Sequence, residues 1–253
     1  MKKRLIKLIL FYLILLGLWQ GLALMKIWPE YIFPTPLGVL KTFIAGFEDK
    51  TFIIGILISM KRILIGYGLS IVVGLFVGLL IGRIKTLDET VGSLVLGIQA
   101  LPSICWLPLA LLWFGLSESA MLAIVILGSL FSIIIGADTG VKNVPPIYMR
   151  AARTMGAKGI QLYTRVIIPA ALPSIISGFK QGWSFAWRSL MAAELLYVGL
   201  GLGHLLMMGR ELNDMNQVIA VMIVIIIIGI VVDRLIFARI ENKVRERWGL
   251  TNA

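Results

Sequence analysis

The chain has 253 residues, 59% of them hydrophobic and 15% charged, and its mean hydropathy of +0.95 excludes an ordinary water-soluble globular domain. Its formal charge of +11, from 24 Lys/Arg against 13 Asp/Glu, points in so apolar a chain to basic cytoplasmic loops rather than to nucleic acid. Cys105 and His204 are the sole residues of their kinds, which excludes an intrachain disulfide and leaves no zinc shell of Cys and His.

A helix needs about 20 apolar residues to cross a hydrocarbon layer of about 30 Å. Runs that meet or approach this length predict about six spans. The first, 5–25, follows Met1-Lys2-Lys3-Arg4 as a signal peptide would. It is longer than a usual signal-peptide core and no small-residue cleavage pattern follows, so it is read as a retained helix. In 26–58, Pro29, Pro34 and Pro36 precede Leu37, Leu40, Ile44 and Phe47 at near-helical spacing. Two readings fit: a short helix lying in the outer interface, or an irregular external loop.

The second span, 63–81, carries Gly66, Ser70, Gly74 and Gly78, with Gly82 just beyond, at intervals of four. That spacing predicts a groove of small residues against which another helix can pack closely. The third, 91–113, contains Pro102 and Pro108. A kink or break is expected there, with Gln99, Ser103 and Trp106 as candidate lining for a cavity. The fourth is 121–135, the fifth 173–198 and the sixth 218–237. With the N-terminus inside, the basic residues of 2–7, 83–85, 142–165 and 234–247 all become cytoplasmic, and an even number of spans returns both termini to that side.

The longest cytoplasmic loop is 138–172. Pro145 and Pro146 suit the opening turn of a helix and Gly156 its end. Within it Tyr148, Ala151, Ala152 and Met155 share a face, while Arg150 and Arg153 point elsewhere. A second short helix over 160–166 precedes Pro169 and Pro173, which lead back into the membrane. A passive connector needs none of this order, although a basic helix resting on anionic headgroups is a competing reading.

Arg150-Ala151-Ala152, Gly156 four residues later, and Ile168-Pro169 about a dozen beyond resemble the EAA loop of permease subunits from bacterial binding-protein-dependent ABC importers. The resemblance implies that 138–172 is a coupling loop whose helix docks in a groove on a separate cytoplasmic ATPase. Tyr148, Arg150, Ala151, Ala152, Arg153, Met155, Gly156, Ala157 and Pro169 are then the ATPase-coupling residues. Small Ala side chains allow close docking and Gly156 allows a sharp turn past the helix. The family usually has Glu where this chain has Arg150, so an acidic contact to the ATPase is not implied.

Ser59, Arg62 and Gly66, Leu107-Pro108, Trp113-Phe114-Gly115, Gly182, Trp187, Ala193-Glu194 and Gly199-Leu200-Gly201 are similar to the nitrate/sulfonate/taurine branch of that family. The resemblance implies an all-α membrane protein, a polytopic bundle of about six transmembrane helices with the MetI-like type I importer fold, forming a single permease domain over 1–253. It implies a bacterial cell membrane, a second permease subunit with a homodimer as default, two copies of the ATPase, and an external solute-binding protein. No cofactor is expected in this chain. It lacks the Gly-x-x-x-x-Gly-Lys-Ser/Thr loop and its loops are too short for a nucleotide-binding domain, so ATP and Mg belong to the partner.

The fifth span is the least apolar and the best candidate for the translocation path. Lys180, Ser184, Trp187 and Arg188 occupy one side, with Trp183 four residues before Trp187 and Glu194 further along. Ionisable groups at membrane depth cost about 2.5–3.5 kcal/mol, so they face a cavity or a partner. Arg188, with Lys180, is a candidate contact for a sulfonate, nitrate or carboxylate. The alternative is that Lys180 snorkels and Arg188 pairs with Glu194 of a neighbouring helix or subunit. Trp183 and Trp187 either line the path or pack helices, with packing favoured. His204, placed in an outer loop, is read as a solvated surface residue.

A rival function, a secondary transporter or channel working without an ATPase, would place coupling carboxylates near the midplane, often in an inverted repeat. Glu194 is the one strong candidate and no clear repeat is present. A membrane enzyme is disfavoured further, since paired acidic clusters and a Ser/His/Asp set are absent.

Overall fold

The computed structural model describes residues 2–197 and 199–248, with side chains from residue 6 onward. All regular structure among them is helical. In chain order the helices are α1 (Lys2–Leu24), α2 (Pro36–Glu48), α3 (Thr51–Arg83), α4 (Lys85–Gln99), α5 (Ser103–Phe114), α6 (Glu118–Lys142), α7 (Pro146–Thr154), α8 (Gly159–Glu194), α9 (Leu202–Glu211) and α10 (Met215–Arg247). Five are long and apolar enough to cross a membrane, and α4 with α5 makes a sixth if the pair, bent by 99°, is one broken span. The bend falls at the predicted break: Pro102 cannot donate a backbone hydrogen bond and pushes Leu101 out of helical conformation.

The described residues form two compact units, one from the chain up to Ser59 with Glu194–Ile227, the other from Met60–Ala193 with the chain from Ile228 onward. In the first, α1 leaves its apolar side chains exposed, as a helix meant for lipid would. Trp19 donates to the Pro34 carbonyl at 3.0 Å. Of the two readings of 26–58, the helix is the one found: Thr35 caps α2 by accepting from the Gly38 N–H at 3.1 Å, and Pro36 opens it. Its buried side is Val39 and Gly46, however, and Leu37, Leu40 and Ile44 of the expected stripe point outward.

Helix α9 is a departure from expectation. The stretch after Gly201, read as an outer loop, is a helix that buries Leu202, Gly203, Leu205 and Gly209, and His204 is half-buried on it rather than solvated. Its packing side alternates Leu with Gly, so no apolar period announces it, and ten residues are too few for a span.

In the second unit α3 and α6 cross along the predicted groove. A Cβ at Gly66, Gly74, Gly78 or Gly82 would come closer than 3.0 Å to Val125, Ile133, Ile134 or Val141, and at the remaining step Ser70 and Ser129 hydroxyls meet at 2.8 Å. A second stripe on α6 carries its other side: Gly136 touches Gly178 of α8 backbone to backbone, and Gly140 touches Ala171.

Several predicted boundaries shift. Helix α3 begins at Thr51 rather than 63, since Lys61 and Arg62 interrupt the apolar run without interrupting the helix. Helix α6 runs to Lys142, capped at its start by Ser117 accepting from the Ala120 N–H, so Asp138 is helical and the loop shrinks to 143–158. The separate helix expected over 160–166 is instead the beginning of α8, which continues through Pro169 and Pro173. A π turn at Tyr163–Ile167 lets the backbone re-register ahead of the prolines. Helix α8 ends at Glu194, and Val198, the expected end, lies outside the described residues. Helix α10 extends the sixth span to Arg247 through another π turn, Asp233–Phe237.

Candidate functional site

Helix α7 is built to stand on its own stem. Val144 is buried, Pro145 and Pro146 start the helix, and two of the carbonyls at its end are met through a left-handed turn: Gly156, at φ +88°, donates to the Arg153 carbonyl at 3.0 Å, and Ala157 donates to the Ala152 carbonyl at 2.9 Å. A side chain at Gly156 would have room but the wrong backbone. Met149, Ala152 and Ala157 pack against a core of Ala137, Val144, Leu162, Tyr163, Ile167, Ala171 and Ile175.

Beside this anchored side, Tyr148, Ala151 and Met155 are bare, Met155 at 87% and Tyr148 at 49% exposure. The expected shared face is therefore narrower than drawn: Ala152 stands at its edge and turns toward the core. Arg150 and Arg153 are exposed, and Pro169 is half-buried within α8, beyond the α7 turn in sequence.

The candidate path residues divide. Gln99 and Ser103, flanking the α4–α5 break, meet Arg188 of α8 in one cavity of about 250 Å³, completed by Gly128, Phe131 and Ser132 of α6 and by Phe185. The Gln99 amide donates to the Ser132 hydroxyl at 3.4 Å, and the Ser103 and Ser189 hydroxyls are 2.6 Å apart. Arg188 donates from Nε to the Ser184 carbonyl at 3.1 Å and lies 5.0 Å from the Phe185 ring centre. It makes no ion pair among the described residues, so its charge is available to an anion in the cavity.

The other candidates lie elsewhere. The Lys180 ammonium is held by Asp233 at 3.3 Å and Glu241 at 3.6 Å, so it does not join Arg188. Trp183 and Trp187 are buried, near-parallel with centroids 6.4 Å apart, and Trp183 meets the edge of Tyr67 at 5.3 Å: they pack helices. Ser184 is exposed and donates to the Lys180 carbonyl, and Trp106 is half-buried outside the cavity lining. Glu194, fully buried, belongs to the first unit, where it accepts from the Ser59 hydroxyl at 2.8 Å and the Gly203 N–H at 3.0 Å.

Sequence reasoning missed Gly128, Ser132 and Ser189. The signal was present for the first two, because Gly128, Ser132, Gly136 and Gly140 recur every four residues on α6. For Ser189 nothing in its neighbourhood distinguished it.

Residues 70–246 match the family described as the inner membrane component of binding-protein-dependent transport systems. A Methanocaldococcus jannaschii protein named as an ABC transporter permease is 37% identical over 86% of this chain and 83% of its own length. The taurine transport system permease protein of Escherichia coli is 29% identical over 87% of this chain and 82% of its own, and the nitrate import permease protein of Synechocystis 27% identical over 80% and 77%. Among solved structures, the inward-facing MetNI methionine ABC transporter aligns with a TM-score of 0.65 at 19% identity, covering 77% of this chain and 96% of that one. The matched family covers most of the chain, and the chain belongs to the binding-protein-dependent transport family as a multi-pass ABC transporter permease.

Proposed function

We propose that the chain is the permease subunit of an ATP-driven importer, carrying a small anion delivered by an extracytoplasmic binding protein. The observation that carries this reading is α7: a capped helix fixed along Met149 and Ala152 with Tyr148, Ala151 and Met155 left bare. Apolar side chains held rigidly in the open serve a partner, and a helix presenting one face suits a groove. The partner is a cytoplasmic ATPase in two copies, holding ATP and Mg, against a pair of permease subunits that are copies of this chain. Both termini then lie in the cytoplasm, in accord with the basic segments. ATPase closure moves α7 as a lever, and the bundle alternates between inward-open and outward-open states because the grip on α7 differs between them.

The anion reading is supported by Arg188, whose charge faces a cavity with Gln99 and Ser103, and by the taurine, sulfonate and nitrate named for relatives. The test is co-expression with the ATPase. Ala151→Glu is expected to leave membrane insertion intact and to remove the ATPase from the purified complex; full retention with normal uptake overturns the coupling role. Arg188→Gln is expected to weaken anion uptake about tenfold or more, from loss of a charge-assisted contact of about 1.5–3 kcal/mol.

A further inference from the structure

A second cavity, larger than the Arg188 cavity, is separate from it. It measures about 670 Å³, within the range of ligand sites, and is lined by Gly82 and Arg83 at the end of α3, Val141 and Lys142 at the end of α6, Met149 and Arg153 of α7, and Lys158, Gly159 and Leu162 where α8 begins. Four cations line it and no carboxylate does. Lys142 is committed to Asp88 and to Asp138, but Arg83, Arg153 and Lys158 make no ion pair among the described residues. Like charges gathered around one concavity repel one another unless an anion occupies it.

Its level in the membrane narrows the anion. Arg83 closes α3 two residues past the apolar run that ends at Ile81, so this wall of the cavity sits where a spanning helix leaves the hydrocarbon and where lipid phosphates lie. Its inner wall is apolar, with Leu162, Tyr163 and Ile167 buried behind it, and the Arg83 guanidinium lies over the Tyr163 ring at 5.3 Å. A basic mouth over an apolar wall suits a charged head with a hydrocarbon base.

We propose that this cavity binds the phosphate of an anionic phospholipid headgroup, held by Arg83, Arg153 and Lys158. The bound phosphate joins the end of a spanning helix to α7 and its turn, and so steadies α7 in the pose in which its bare face is presented. The site itself stands without the ATPase reading; this consequence rests on it.

The test is native mass spectrometry of the full chain released from vesicles of equal phosphatidylglycerol and phosphatidylcholine. The wild type is expected to retain phosphatidylglycerol at least about fivefold over phosphatidylcholine. Combined Arg83→Gln, Arg153→Gln and Lys158→Gln is expected to bring the two near parity, while Arg83→Lys with Arg153→Lys, which keeps the charge, retains the preference. Arg150→Gln, on the same helix but outside the cavity, leaves it unchanged. Undiminished preference in the triple Gln variant overturns the proposal, as does an equal loss in Arg150→Gln, which would mark diffuse surface charge. Displacement of the lipid by millimolar inorganic phosphate assigns the same cations to a free phosphate and overturns the lipid as its carrier. The measurement contains no ATPase, so loss of lipid preference and loss of ATPase co-purification are separable failures.

Discussion

Helices α7 and α9 are alike in length and in lying between longer helices, yet they are held in opposite ways. Helix α9 is sunk into the first unit. Leu202 and Leu205 are buried with Gly203 and Gly209, and the backbone N–H groups that open it are met by buried side chains, Leu202 donating to the Ser59 hydroxyl at 2.9 Å and Gly203 to Glu194 at 3.0 Å. An acidic group at a helix N-terminus also meets the positive end of its dipole. Helix α7 has no buried residue, and prolines rather than a side-chain acceptor begin it. The contrast separates a helix whose contacts are complete within the chain from one whose contacts are half supplied.

The comparison breaks most easily at Glu194. Glu194→Ala would leave the Ser59 hydroxyl and the Gly203 N–H buried without their acceptor, at a cost of about 3–5 kcal/mol. Thermal unfolding in detergent should show a large fall in Tm or no monodisperse protein, and a near-normal Tm would mean that α9 is not anchored here. Leu205→Ala comes next. Leu205 is buried against Gly55, and its carbonyl accepts from the Gln217 amide at 2.9 Å, a bond the substitution keeps. Removing the side chain alone should cost about 2–3 kcal/mol in the same measurement.

Helix α7 should respond far less. Gly156→Ala places a Cβ in open space at φ +88°, so only backbone strain of about 1 kcal/mol is expected. A larger fall in Tm would show that the turn packs more tightly than its surroundings allow, and the separation between the two helices would shrink.

How far the sequence foretells all this depends on whether a feature is local to one helix. The groove from Gly66 to Gly82 is a repeat of four on α3 and was legible, although its partner α6 was not, because partner choice depends on tertiary contacts. The break at Pro102 and the turn at Gly156 follow from backbone chemistry at single residues. The prolines at 169 and 173 misled for a related reason: a π turn one step earlier absorbs them, and nothing local marks it. Gln99, Ser103 and Arg188 were individually visible as polar groups in apolar runs, but Lys180 and Trp183 had the same appearance. Only the carboxylates of α10 and the ring of Tyr67 distinguish a satisfied residue from an available one.

The smallest expected effect on stability is the sharpest test of the contrast. Met155 is 87% exposed and contributes almost nothing to folding in the isolated chain, so Met155→Ser should change Tm by an amount equivalent to about 0.5 kcal/mol or less. A flexible thioether beside Tyr148 and Ala151 is nonetheless suited to fill a groove, and desolvating it there is worth about 1.5–3 kcal/mol. If α7 is completed by an ATPase, Met155→Ser should weaken ATPase retention by about tenfold or more while Tm stays put. Leu205→Ala, scaled to the fraction still folded, should leave retention unchanged. Equal responses of both properties at both positions would dissolve the distinction between a helix finished within the chain and one finished by a partner.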